Sequence, residues 1–419
     1  MNLASPNVLI LGSSREGLGV IRTLASNGFR VFCGIEAHHD VIRFSSKLSG
    51  CWNHPSLQKG NQHELAESIS AAAEKLEGDA VWLFPVGETA ILRALQLKDR
   101  LPQRVRVVTT NEEAIHTCVD KSKARELFSK LGLPQPETHF VQTRWELGEA
   151  LECVKLPAVI KPAVSGGWRS HQKAVIINHP EEPETLLSFW NEESPLIVQS
   201  RLRGARHNVY FAARNGKILA RLEAEILRTD RRDGTGLAVE GHILTEPTES
   251  MIANCDAIVE ALNYNGVGCL QFLVDPETRE ATVLELNPRL GANYAVVDAA
   301  GLNLALIALE LVRNPDSVEQ LLPEKFGAGR YAWISGDLAG LGVQLRRGLG
   351  LGSALAWFGR ILSSLVLAKH HVTWSFRDPL PTLKFLTHLA LKASPSRASS
   401  PSAAAVPNLK NGNHEKLNP

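Results

Sequence analysis

Organised cysteine chemistry is missing from this 419-residue chain: its six cysteines are scattered, form no C-x-x-C pair and sit in no close Cys/His cluster of metal-site spacing. That argues against a zinc module or a disulfide-stapled scaffold and leaves reduced, mostly buried thiols. A charge excess is missing too, since the formal net charge is only +1, so no basic face is expected to attract nucleic acid. The first residues, MNLASPNVLILGSS, lack a basic segment, a long apolar stretch and a small-residue cleavage site, which argues against secretion. No internal repeat of fixed period is found. The expectation is a cytoplasmic enzyme acting on small molecules, and with 44% hydrophobic residues the chain has material for two or three cores.

What is present begins with short β-branched runs alternating with helical patterns. Val8 to Leu11, a glycine turn, a helix over 18–27 and the run Val31-Phe32-Cys33 make a βαβ opening. Apolar runs at 80–85 and 105–108 extend it to a small doubly wound sheet. A helix over 121–131 stops at Gly132 with Pro134 beyond. Residues 158–161 and 174–177 look like an antiparallel pair, and a second strand-rich block starts at Leu196 and runs to Leu286, interrupted by one helix over 248–263. The fold class is therefore α/β followed by α+β. Residues 349–368 are about as long as a membrane span, but glycines and the central Arg360 argue against one. A helix covering the catalytic body or lying on a membrane surface is expected instead. From Ala393 onward, Ser, Pro, Ala and Asn dominate, so a disordered tail is expected.

The most informative stretch runs from Cys269 to Gly291. Two strands joined by a turn at 275–280 bring Gln271 opposite Glu285 or Asn287. Alternation puts Glu285, Asn287 and Arg289 on one face and Leu284 and Leu286 on the other. One carboxylate and two amide oxygens form an all-oxygen site suited to Mg²⁺, which keeps phosphate oxygens and water among its ligands. Arg289, fixed by Pro288, would hold a transferring phosphoryl group or an acyl phosphate. The competing reading is an amphipathic hairpin with a polar outward face, which accounts less readily for Asn-Pro-Arg directly after an apolar strand.

This stretch resembles the metal-binding hairpin of ATP-grasp enzymes, nearest in wording to the carbamoyl-phosphate synthase subgroup, with Gln on one strand and Glu-x-Asn-Pro-Arg on the other. The resemblance implies Gln271, Glu285 and Asn287 as ligands of Mg²⁺ or Mn²⁺, Arg289 as the contact to the reacting phosphate, and ATP as the nucleotide. It implies that Lys121, after Asp120, and Lys161, before Pro162, reach the phosphates, and that Ser165, Gly166 and Gly167 fold over them. Gln199, Ser200 and Leu202 would lie along the hinge that meets adenine, with His207 near the ribose. Ser200 stands where the family often has glutamate, which sets the ribose contact apart from the pattern. Arg231 and Arg232 fall in the family's flap region, as candidates for the substrate carboxylate or the γ-phosphate, against a plain solvated turn.

The turn Gly12-Ser13-Ser14-Arg15 lacks the glycine a dinucleotide fingerprint needs at position 14. It resembles a pre-ATP-grasp domain, where Ser13 and Ser14 at a helix start would receive an anion, and Glu88 at a strand's C-terminal end would recognise an amine. The implied organisation is a pre-ATP-grasp Rossmann-like domain over 1–115, the small ATP-grasp subdomain over 116–195, the catalytic subdomain over 196–315, a helical extension over 316–392 and the tail over 393–419. Residues 356–381 resemble the C-terminal part of ATP-grasp amine ligases such as the mycosporine-glycine synthetases. The implied activity is a carboxylate–amine or carboxylate–thiol ligase that forms an acyl phosphate and releases ADP. The alternatives are a carbamoyl-phosphate synthase or biotin carboxylase-like enzyme, a non-catalytic nucleotide sensor and an NAD-dependent oxidoreductase. Small carboxylates and amines are the expected partners, and a homodimer stays open.

Overall fold

In the computed structural model, strand β1 (Asn7–Leu11) is buried along its whole length, as expected for a strand covered on both faces. Residues 5–36, 40–163, 174–179, 190 and 194–393 are described, and the Gly-rich loop with Ser165, Gly166 and Gly167 lies outside them. With β2 (Arg30–Ile35), β3 (Gly50–Asn53), β4 (Val81–Pro85) and β5 (Val105–Val107), β1 forms a five-stranded sheet in the order β3-β2-β1-β4-β5. Every pairing in it is parallel. Period-two alternation splits its core: Leu9 and Leu11 face helix Gln62–Glu74, while Val8 and Ile10 join a second core shared with the largest sheet. Gly12 makes the turn out of β1 with φ +108°, where an added Cβ would lie 2.5 Å from the Val86 carbonyl oxygen.

Strands β6 (Thr138–Val141), β7 (Ala158–Pro162), β8 (Val175–Ile177) and β9 (Leu196–Ser200) form a four-stranded sheet in the order β6-β9-β7-β8. The pairing of β7 with β8 matches the sequence expectation. β9 does not open the later strand-rich block as expected; it sits between β6 and β7. Its Leu196-Ile197-Val198 run is buried throughout, which suits a central strand of the small sheet.

The block proper starts with β10 (Ala205–Arg214). It pairs with β11 (Lys217–Thr229) and β13 (Gly266–Val274), and beyond them lie β12 (Ala238–Ile243) and β14 (Ala281–Asn287). The C-terminal extension is helical over Ile334–Arg346, Leu351–Leu367 and Leu380–Ala393. It also supplies two strands the sequence reading did not expect, β15 (Gly329–Ala332) and β16 (His370–His371), completing the seven-stranded order β14-β13-β10-β11-β12-β15-β16. An ion-pair cluster anchors the extension: Arg228 Nη1 donates to Asp337 Oδ1 at 2.7 Å, Arg228 Nε to Glu240 Oε2 at 3.2 Å, and Trp357 Nε1 to the same Asp337 oxygen at 2.7 Å. Among the described residues, no helix is long and apolar enough to cross a membrane.

Candidate active site

Local alternation sets one wall of the cleft. In β7, Ala158 and Ile160 are buried in the core of the small sheet, which leaves Val159 and Lys161 facing a cleft of about 1090 Å³ between the small and large sheets. Helix Lys121–Lys130 starts at Asp120, whose carboxylate accepts from the Ser122 and Lys123 amides at 2.9 and 3.2 Å. That cap fixes the first turn, and Lys121 Nζ donates to the Pro162 carbonyl at 2.7 Å, beside Lys161. Both lysines line the cleft.

The opposite wall is the hairpin of β13 and β14. Gln271 pairs with Glu285 and Cys269 with Asn287, while Phe272 pairs with Val283, so Leu284 is an extra residue at a β-bulge. This corrects the strict alternation read from the sequence. Before the bulge Ala281 and Val283 are core residues and after it Leu286 is, so the bulge transfers the odd-numbered positions from the core to the cleft. Leu284 itself lines the cleft beside Glu285 rather than facing away.

Hydrogen bonds order the polar end of the hairpin. Asn287 Nδ2 donates to Glu285 Oε1 at 3.1 Å, and Arg289 Nη2 donates to Asn287 Oδ1 at 3.2 Å. Burial pushes the Glu285 carboxyl up, but Lys161, the Asn287 amide, Lys121 and Arg289 outweigh it and hold it below the usual carboxylate value. Burial lowers the Lys161 ammonium to about 8, with Glu285 resisting and the cations Lys121 and Arg125 adding to the fall. Burial also lowers Lys121, against the pull of Glu285 and Glu88. The lysines are thus desolvated cations with one shared carboxylate nearby. Such a site gains from an incoming polyanion.

The donor set decides which metal suits the hairpin. No cluster of three His, Cys, Asp or Glu side chains occurs among the described residues, which argues against a closed transition-metal site. One ionised carboxylate facing the Gln271 amide across the ladder fits Mg²⁺ or Mn²⁺ completed by phosphate oxygens and water.

Other expected residues fall in different places. Gln199 is buried and donates to Thr138 Oγ1 at 2.8 Å, and Gln199, Ser200 and Leu202 all line the cleft where the chain leaves the small sheet. Arg231 and Arg232 line it from a loop whose base is closed by the Asp230 amide on the Leu237 carbonyl (2.9 Å) and the Leu237 amide on Asp230 Oδ1 (2.7 Å). Glu88 lines it from the first turn of helix Glu88–Leu97. His207 does not reach the cleft. It points to the other face of β10, 2% exposed, and its Nδ1 donates to Glu223 Oε1 at 2.6 Å. Its neighbours Arg206 and Asn208 take the cleft side, as period two requires. Ser13 and Ser14 do not line the cleft either; Arg15, one position on, does. Arg15, Asn208 and Asn293 also line the cleft, and of these only Arg15, by its place after the glycine turn, carries a signal in the sequence.

Known proteins resemble this chain in sequence and in fold. Residues 120–316 match the family described as "Carbamoyl-phosphate synthase L chain, ATP binding domain". That match likens the segment to an ATP-grasp domain. The arginine-specific carbamoyl phosphate synthase large chain of Bacillus subtilis is 24% identical over 262 residues, covering 59% of this chain and 25% of that protein. The large chain from Helicobacter pylori is 23% identical over 404 residues, covering 86% and 35%. The chain therefore spans about a quarter to a third of the length of these relatives. Among solved structures, N5-carboxyaminoimidazole ribonucleotide synthetase in an ADP complex superposes with a TM-score of 0.63 at 14% identity, covering 86% of this chain and 97% of that one. An L-amino acid ligase from Bacillus licheniformis gives 0.58 at 15%, covering 78% and 80%. At those identities the superpositions speak for the fold alone, and the ATP-grasp fold they share has its two walls here in the small and large sheets.

Proposed function

We propose that the protein is an ATP-dependent ligase that activates a carboxylate as an acyl phosphate and transfers the acyl group to an amine, releasing ADP and phosphate. The observation that carries this reading is the convergence of Lys121, Lys161, Gln271, Glu285, Asn287 and Arg289 on one cleft. Val159, Ile176, Leu202 and Leu284 offer apolar surface for a purine in the same cleft. Lys121 and Lys161 bind the polyphosphate, and Glu285 and Gln271 would hold a Mg²⁺, which when bound would supply charge neutralisation. Arg289 orients the acid: its carboxylate oxygen attacks the γ-phosphorus as the bond to the β-phosphate oxygen breaks. The amine lone pair then attacks the acyl carbon, phosphate leaves and the nitrogen loses its proton. Arg231 and Arg232 on the loop over the cleft exclude water from the acyl phosphate.

ADP release against panels of carboxylates and amines tests the reading. Pair-dependent ADP formation is expected, and nucleotide binding without turnover by any pair would replace the ligase with a nucleotide sensor. The match to a carbamoyl-phosphate synthase domain favours a second reading, a bicarbonate-activating enzyme. Its mark is ADP release with bicarbonate as the only acid.

A further inference from the structure

Beyond the phosphate and metal side, the cleft has an end rich in buried polar atoms that no described residue satisfies. The Arg15 guanidinium lies over the Trp333 ring, 3.8 Å from its centroid, and Trp333 lies against Gly336, where a Cβ would come within 2.1 Å of the indole. Arg15 Nη1 is buried without a hydrogen-bond partner, as are Arg206 Nε and Arg289 Nε. Two amides nearby are more than nine-tenths buried: Asn293, 2% exposed, donates to the Tyr331 hydroxyl at 3.3 Å, and Asn208, 8% exposed, donates to the Tyr210 hydroxyl at 3.3 Å. In each the amide oxygen is left without a partner. Arg15, Arg206, Asn208 and Asn293 all line the same cleft, and Arg15 lies within electrostatic reach of both Tyr210 and Tyr331.

Burying a guanidinium nitrogen and two amide oxygens without hydrogen-bond partners is costly, and few native groups are left so. Burial lowers the Arg15 guanidinium from its ordinary value despite Glu16 and Asp230 nearby. The unmatched set is specific: planar cationic donors beside neutral acceptors. A carboxylate answers the donors in the bidentate geometry a guanidinium favours. An ammonium or hydroxyl on the neighbouring carbon answers the amide oxygens.

We propose that Arg15, Asn208 and Asn293 form a subsite for a carboxylate that the reaction does not consume, borne next to an ammonium or hydroxyl, so that one substrate is an α-amino or α-hydroxy acid. This deepens the ligase reading and rests on it for the term substrate, but the subsite can be probed without turnover. Calorimetric titrations would use the full chain with and without the ATP analogue AMP-PNP and Mg²⁺, adding L-alanine, L-glutamate, L-lactate, propionate, glutarate or ethylamine. At least one of the amino or hydroxy acids should bind at least tenfold tighter than propionate and ethylamine. Arg15→Met should erase that preference while leaving AMP-PNP affinity within twofold. Arg15→Lys, which keeps the charge but loses the planar fork, should recover only part of it, and matched thermal melts would show both variants folded. If no amino or hydroxy acid outbinds propionate, or if Arg15→Met keeps the preference, the subsite is refuted. Failure of AMP-PNP to bind would instead strike the ligase reading alone.

Discussion

Lys161, proposed above to bind the nucleotide's phosphates, makes a quantitative prediction. With its pKa lowered to about 8 by burial, Lys161 is about nine-tenths charged at pH 7 and about one-tenth charged at pH 9. If the nucleotide's phosphates bind only the ammonium form, apparent affinity follows that fraction and falls about tenfold over this range, about 1.4 kcal/mol. Lys121, lowered for the same reason, adds to the fall. The folded-state value lies below the ordinary 10.5, so the charged lysine opposes folding. That penalty is full below about pH 8, is relieved as pH climbs toward 10.5, and amounts to at most about 3 kcal/mol. Calorimetric titration with AMP-PNP and Mg²⁺ at pH 7, 8 and 9 reads the affinity. Lys161→Arg, charged throughout, should flatten the profile, and Lys161→Met should bind weakly at every pH. A wild-type affinity that changes less than twofold between pH 7 and 9 would refute the claim that burial sets the charge of this lysine.

Three further outcomes follow from the same structure. Glu285→Gln should lower ADP formation by at least about a hundredfold and shift the Mg²⁺ dependence to higher concentration, whereas unchanged kinetics would remove this carboxylate from the metal site. Burial raises the Asp298 carboxyl to about 6, so stability should fall as pH rises from about 4 through about 6. Asp298→Asn should therefore raise the melting temperature at pH 7.5, by at most about 3 kcal/mol of stability, and flatten that pH range; a lower melting temperature would contradict it. Asp337→Ala leaves the half-buried Arg228 without its main partner and should cost about 3 kcal/mol in chemical denaturation. A loss under about 0.5 kcal/mol would show that the C-terminal extension is anchored elsewhere.

Much of this was legible in the sequence where pattern and chemistry coincide. The parallel sheet announces itself through uninterrupted β-branched runs, and the helix from Lys121 through its acidic cap and terminal glycine. The single turn narrows the partner of Gln271 to Glu285 or Asn287, and the ladder selects Glu285. The bulge was not legible, since Leu284 is apolar on either face and nothing local marks the extra residue. His207 was misplaced for a related reason: a one-residue choice on β10 decides between cleft and core, and its partner Glu223 comes from the neighbouring strand. β9 reads as a strand in any setting, and only long-range pairing assigns it to the small sheet. The Arg15 and Trp333 pair joins residues more than three hundred positions apart, a distance no local pattern spans.

The bulge at Leu284 also sets the terms on which this site could be moved or varied. Residues 275–280 form an exposed turn, where a change in length would be absorbed by the loop. Loss of the single residue at 284 would restore regular pairing and turn either Val283 or Glu285 toward the wrong side. A graft of Gln271, Glu285, Asn287 and Arg289 onto another hairpin would therefore have to carry the supernumerary leucine with it. For a designer, or for a lineage accumulating deletions, the least chemically expressive residue of the hairpin is the one that cannot be dropped.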